Sequence, residues 1–147
     1  MRVLSTDEEV ILLSALGNNL LVKQIVQVAL HTGMRRGEIF DLKWPDVDFV
    51  RSLIQIRLSK SNKKRLVPMN ETVQSILDSL DRASEFVFPS PKTNMRLNQI
   101  KTSFRRAVNK AGLEDFRFHD LRHTAASRMA AAGANPFTLM KYWVIQI

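Results

Sequence analysis

The sequence has 147 residues, 45% of them apolar, and no cysteine, which describes one domain with a packed core and excludes disulfides and thiolate metal sites. No apolar run is long enough to span a bilayer and the first residues lack a signal-peptide pattern, so no membrane partner and a cytoplasmic location are expected. Lys plus Arg number 22 against 14 Asp plus Glu, a net charge of +8, and a basic excess favours polyanionic partners because neutralised phosphates release counterions.

Ser5 or Thr6 caps a first helix whose opening turn holds Asp7, Glu8 and Glu9, acids that complement the helix dipole. Val10, Leu13 and Leu16 give it an apolar face, and Gly17-Asn18-Asn19 ends it. Leu20 to His31 reads as a second, largely apolar helix closed by Thr32-Gly33, and a short third helix runs through Glu38 to Leu42 until Trp44-Pro45 stops it. The period then changes. Leu53–Leu58 and Lys64–Pro68 are β-like around the polar turn Ser59–Lys63, a hairpin with a basic tip. Asn70 caps a helix to about Leu80, and Phe86-Val87-Phe88 is expected as a third strand before Pro89-Ser90-Pro91. Asn98–Ala111 is an amphipathic basic helix ending at Gly112. His119–Ala132 follows and ends at Gly133, and Asn135-Pro136 starts a last helix. Helices, a small antiparallel sheet and helices again make a mostly α-helical α+β domain. Met34, Met129, Met140 and Trp44 are expected in the core.

Basic residues gather in two acid-free stretches, Arg57–Arg65 and Arg96–Lys110. Two clusters point to one extended anionic ligand, although each alone is also compatible with a solvated face.

The segment Thr32-Gly33-Met34-Arg35-Arg36-Gly37-Glu38-Ile39 resembles the first arginine box of the tyrosine recombinases, the phage-integrase type. His119-Asp120-Leu121-Arg122-His123-Thr124 resembles their second box, His-x-x-Arg, and Lys60–Pro68 resembles the basic hairpin between them. Each pattern is short; their order and spacing carry the resemblance, which runs from about Leu4 to Lys141. It implies the tyrosine-recombinase catalytic-domain fold with a small three-stranded antiparallel sheet, and site-specific cleavage and rejoining of double-stranded DNA without metal or other cofactor. In that chemistry a tyrosine attacks the backbone, forms a 3′-phosphotyrosyl bond, and attack by the partner strand reverses it. Arg35 and Arg122 would clamp the transition state, Lys60 would be the general acid, His119 a hydrogen-bonding or acid/base group, and Glu38 and Asp120 supports that orient the site. Family members act as oligomers on DNA, so a homo-oligomer is possible for an intact member.

Elementary chemistry stands beside the resemblance. His119 and Arg122 lie three apart on one helix face, at a helix N-terminus that attracts phosphate. Arg35 follows a glycine turn that can aim its side chain. Two arginines can grip the non-bridging oxygens of a phosphodiester through bidentate bonds, stabilising charge that builds on a pentacoordinate phosphorus. Rival readings stay open: Lys63 or Lys64 for the role of Lys60, a capping or core role for His119, and a structural role for His123. Arg36, Lys63, Arg96, Lys101, Arg105 and Arg106 either contact backbone phosphate or solvate a face.

The family pattern continues with Leu-Gly-His-Ser and then the tyrosine. Here the chain reads Thr138-Leu139-Met140-Lys141-Tyr142-Trp143-Val144-Ile145-Gln146-Ile147. The second histidine and the motif's tyrosine are not found, and Tyr142, the single tyrosine, lies in the segment before them. Reading Lys141–Ile147 in nucleotides from the third base of the Lys141 codon forces Leu-Gly and permits His-Ser. A reading frame shifted near Lys141 is therefore expected; nucleotide sequence beyond this point decides it. On this reading the chain is a single truncated catalytic domain, residues 1–147, lacking the family's N-terminal DNA-binding domain and its tyrosine segment, and inactive alone. The alternative is a degenerate remnant that binds DNA without catalysis, and a third reading is a basic partner-binding module. The apolar end Tyr142–Ile145 predicts poor solubility.

Overall fold

The structure is a computed structural model and describes residues 2–57 and 64–133. In chain order the elements are α1 (Thr6–Ala15), α2 (Leu20–Thr32), α3 (Arg36–Asp41), a 3₁₀ turn at Trp44–Asp46, β1 (Val47–Asp48), β2 (Leu53–Arg57), β3 (Lys64–Pro68), α4 (Glu71–Asp78), α5 (Lys101–Lys110) and α6 (His119–Ala131). The α+β class and its small sheet are as expected.

Helix starts follow local chemistry. Ser5 accepts the Glu8 N–H at 3.1 Å while the Glu8 carboxylate accepts the Ser5 N–H at 3.0 Å, a reciprocal cap on α1. Arg2 pairs with the same carboxylate at 2.6 Å, and this guanidinium, with the Ser5 amide, holds Glu8 down at about 2. Asn19 caps α2 and Asn70 caps α4 through the amides of Val22 and Val73. Helix α2 ends at Gly33, left-handed at φ 72°, a conformation that costs a residue with a Cβ.

The sheet order is β1-β2-β3, antiparallel throughout. Its third strand differs from the expected one. Phe86-Val87-Phe88 is not in the sheet: Phe86 makes one bridge to Lys43, and the Val87 N–H donates to the Leu42 carbonyl at 2.9 Å. All three are buried, so the run reads as a buried strand from composition alone. Pro89 and Pro91 that follow lack the amides a continuing ladder would use, and the Ser90 N–H between them donates to the Met95 carbonyl instead. Val47-Asp48 takes the strand position instead, and no alternation pattern can declare a strand of two residues.

Two further expectations shift. Val10 stands exposed while Leu12 and Leu16 are buried and Leu13 is half-buried, so α1 presents a face turned from the expected one. The basic helix begins at Lys101, three residues later than its periodicity predicts. Met34 is in the core; Trp44 and Met129 are half-buried, and the Arg82 guanidinium lies 4.6 Å above the Trp44 ring. Met140, the Asn135-Pro136 cap, the hairpin tip and Tyr142–Ile145 lie outside the described residues.

Helix α2 is the central element, packed against α6, α4 and α3. Val22, Ile25, Val26, Val28, Ala29 and Leu30 are all buried, which no amphipathic surface helix would show. Thr124 of α6 is fully buried, accepts the Leu4 N–H at 2.8 Å and donates to the Asp120 carbonyl at 2.8 Å. The start of the chain is thereby fixed to the helix that carries His119 and Arg122.

Candidate nucleic-acid site

The α2–α3 connection builds the first half of the site. The Thr32 hydroxyl donates to the Val28 carbonyl at 2.6 Å and accepts the Met34 N–H at 3.1 Å. With Gly33 left-handed, these bonds turn the chain so that Arg35 enters α3 in extended conformation, φ −72° and ψ 154°. The Glu38 carboxylate then accepts the Arg35 N–H at 2.8 Å, and its other oxygen lies 3.5 Å from the Arg35 guanidinium. Glu38, expected from the resemblance to orient the site, thus contacts both the backbone and the side chain of Arg35.

The second half comes from α6. Arg122 donates to the Gly33 carbonyl at 2.6 Å, so the arginine of one box is tethered to the turn that aims the arginine of the other. Asp120 accepts the Arg117 N–H at 2.8 Å and steadies the approach to the helix. The amides of Asp120 and Leu121 donate to the carbonyls of Arg117 and Phe118. These two amides of the first turn are thus already paired within the chain. The His119 and His123 rings meet edge to face, centroids 4.7 Å apart, which gives His123 a packing role beside His119.

Met34, Arg35, Arg36, Gly37, Arg117, Phe118, His119 and Arg122 line one cleft of about 340 Å³. A Cβ built at Gly37 would meet nothing within 4 Å, so the space above α3 is open to a ligand. Three of the four expected catalytic residues, Arg35, His119 and Arg122, thus converge. The fourth, Lys60, lies outside the described residues, as does Lys63. Cations surround this cleft with little counter-charge. Burial, then the neighbouring Arg35 and Arg65, lower the Arg122 guanidinium to about 10, with Glu38 opposing. The group stays cationic at neutral pH. Burial foremost, then His123, Arg122 and Arg35, lower His119 below its ordinary value, with Asp120 opposing. At neutral pH His119 is therefore a neutral imidazole, able to donate from one nitrogen and accept at the other.

An adjoining cleft shares Arg36, Arg117 and Phe118 and extends along α5, where Lys101 and Arg105 join the rim. Arg106 stands exposed on the same helix beside them. Arg96 is engaged elsewhere: its guanidinium donates to Asp41 at 2.5 Å and to the Leu97 carbonyl at 3.2 Å. Arg65 was visible in the sequence only as one cation of the hairpin cluster. It is buried on β3 and pairs with Glu38 at 2.6 Å. The signal was its register: alternation along β3 puts Arg65 inward with Val67, where an apolar residue is the rule. No cluster of three or more His, Cys, Asp or Glu among the described residues has metal-binding geometry.

The model of the Phage integrase family matches residues 2–143. The integrase of Salmonella phage P22 is 36% identical over 127 residues, 76% of this chain and 33% of that protein. A tyrosine recombinase of Thermosipho africanus is 28% identical over 122 residues, 80% of this chain and 43% of the relative. The chain spans less than half the length of these curated relatives. The crystal structure of XerA recombinase superposes at a TM-score of 0.82 with 30% identity, over 97% of this chain and 55% of that one. The lambda integrase catalytic core shares the fold at a TM-score of 0.79 and 21% identity, over 97% and 91% of the two chains. With the arginine boxes seated on one cleft and the family model running along nearly the whole sequence, this chain belongs to the phage integrase family, the tyrosine recombinases.

Proposed function

We propose that this chain grips a single phosphodiester of double-stranded DNA, as the catalytic domain of a site-specific recombinase does before strand cleavage. The observation that carries the reading is the convergence of Arg35, His119 and Arg122 on one cleft whose cations outnumber its carboxylates. Arg35 and Arg122 take the non-bridging oxygens, and His119 holds one of them by a hydrogen bond. Lys60, on the segment joining β2 to β3, is the group that would protonate the 5′-oxygen as a tyrosine displaces it, a step this chain alone does not reach. Arg36, Lys101, Arg105 and Arg106 hold neighbouring backbone phosphates along α5. Relatives of this fold include a lambda integrase dimer bound to a COC′ core site, which supports duplex DNA as the ligand and makes a second copy on DNA reasonable.

The grip is one function and attack is another. On the family's spacing, Tyr142 is not the nucleophile, and this chain alone leaves the phosphodiester uncleaved. A degenerate DNA-binding remnant is the second reading, and it shares this prediction for the isolated chain. Incubation with a nicked duplex that traps covalent intermediates tests it: a gel shift at low salt with no protein–DNA adduct is expected. A covalent adduct would overturn the statement about the nucleophile, and a folded chain that does not retard duplex DNA at low salt would overturn the grip itself.

A further inference from the structure

Two described arginines are buried, Arg122 and Arg65; the Arg65 side chain is 1% exposed, and it sits on neither arginine box. Its position on β3 is fixed by the ladder: it faces Ile56 of β2, next to the pair Arg57–Lys64 that closes the described part of the hairpin. Its guanidinium reaches from the sheet to α3 and bonds Glu38 at 2.6 Å. Glu38 in turn accepts the Arg35 N–H at 2.8 Å through its other oxygen and lies 3.5 Å from the Arg35 guanidinium. One carboxylate thus serves two arginines from two elements. Arg65 is also near enough to Arg122 to help depress that guanidinium. The sheet, α3 and α6 therefore meet in a group of three cations around a single carboxylate.

Burying a cation is costly unless it is paired, and a merely stabilising position on the inward face of β3 would take Val or Leu at lower cost. An arginine there has a geometric use. We propose that Arg65 is a positioning residue of the phosphate site: through Glu38 it fixes the approach of Arg35 and ties β3 to the arginine clamp. Without it, Glu38 closes on the Arg35 guanidinium, tightens the 3.5 Å ion pair already there, and takes from the phosphate the cation meant for it. Arg65 touches neither phosphate nor reacting atoms in this arrangement. The inference rests on the phosphate-site reading above.

A double-variant cycle read by equilibrium binding of a fluorescent 20–30 base-pair duplex, a length on the order of common protein sites, separates the two ideas. In the unaltered chain, Arg35→Ala is expected to weaken binding by about fivefold or more, and in an Arg65→Met background by under about twofold, because Arg35 is already misdirected. Arg65→Lys keeps the charge and the contact with Glu38, and is expected to restore most of the Arg35 dependence. Should Arg65→Met not fold, as thermal melts by circular dichroism will reveal, Arg65→Gln, which keeps a polar side chain beside Glu38 without the charge, takes its place, and the same loss of Arg35 dependence is expected. Equal Arg35→Ala losses in every background, with duplex binding intact, would mean that Arg65 only stabilises the fold and would overturn this inference alone. No duplex binding by the folded, unaltered chain would overturn the phosphate-site reading and this inference with it.

Discussion

His119 shows how one residue's surroundings set its chemistry. Burial and three cationic or imidazole neighbours keep it below its ordinary value, so the free site holds it neutral. A bound phosphodiester reverses the sign of the nearest charge and raises the value. DNA binding then takes up a proton, and affinity rises as pH falls through the region of 6.5, the ordinary histidine value. Stability runs the other way. A histidine whose folded value is depressed supports the fold fully above its unfolded value, and that support is lost as pH drops below it. Duplex affinity measured from about pH 8 to about pH 5.5 is expected to tighten in the unaltered chain and to flatten in His119→Gln; an identical profile in both would assign the proton to another group. Arg65 carries the complementary lesson. Its role was invisible by charge counting, since Arg57, Lys60, Lys63 and Lys64 surround it, and legible only from the pleat that points it inward with Val67.

Among the elements, the ones with strong local chemistry were readable and the ones made by tertiary pairing were not. The capping box at Ser5 and Glu8, the Asn70 cap and the left-handed glycine at 33 each have a side-chain or φ/ψ signature in the sequence. The two-residue β1 is too short to show alternation and takes its state from pairing with Leu53 and Ile54 across a short turn, and the Phe86–Phe88 segment takes its state from Leu42 and Lys43, far back in the sequence. The site elements belong to the readable group, which is why Arg35, His119 and Arg122, all named from the sequence, meet at one cleft. They also make separable predictions. Ser5→Ala removes a cap remote from the cleft and is expected to cost about 1 kcal/mol in denaturant unfolding with DNA affinity unchanged. Gly33→Ala forces a Cβ into the left-handed region at roughly 1–2 kcal/mol and also moves the carbonyl that Arg122 grips. It is expected to lower both stability and affinity. Equal affinity losses in the two variants would show that binding follows global stability and not the geometry of the turn.

At the scale of the whole molecule, the fold brings distant stretches of basic sequence to one cleft. Helix α2 is buried on nearly every side and acts as the fixed post against which α3, α4 and α6 pack. The chain start is tied to α6 by Leu4 and Thr124 and by Arg128, which reaches Glu9 at 2.5 Å. Arg35 and Arg122 are therefore held from two distant stretches of the sequence by one frame, and the nearby acids are shared or engaged: Glu38 lies 2.6 Å from Arg65 and 3.5 Å from Arg35, and Asp120 accepts the Arg117 amide. The frame's central consequence is an anion grip with two arginines on one phosphate, and its signature is counterion release. Equilibrium affinity for a duplex across a salt series measures it most directly. The logarithm of the affinity should fall linearly with the logarithm of salt concentration, and Arg35→Ala/Arg122→Ala, which gives up one phosphate, should reduce that slope by about 1; a double variant that stays folded and keeps both the affinity and the slope of the unaltered chain would contradict the account.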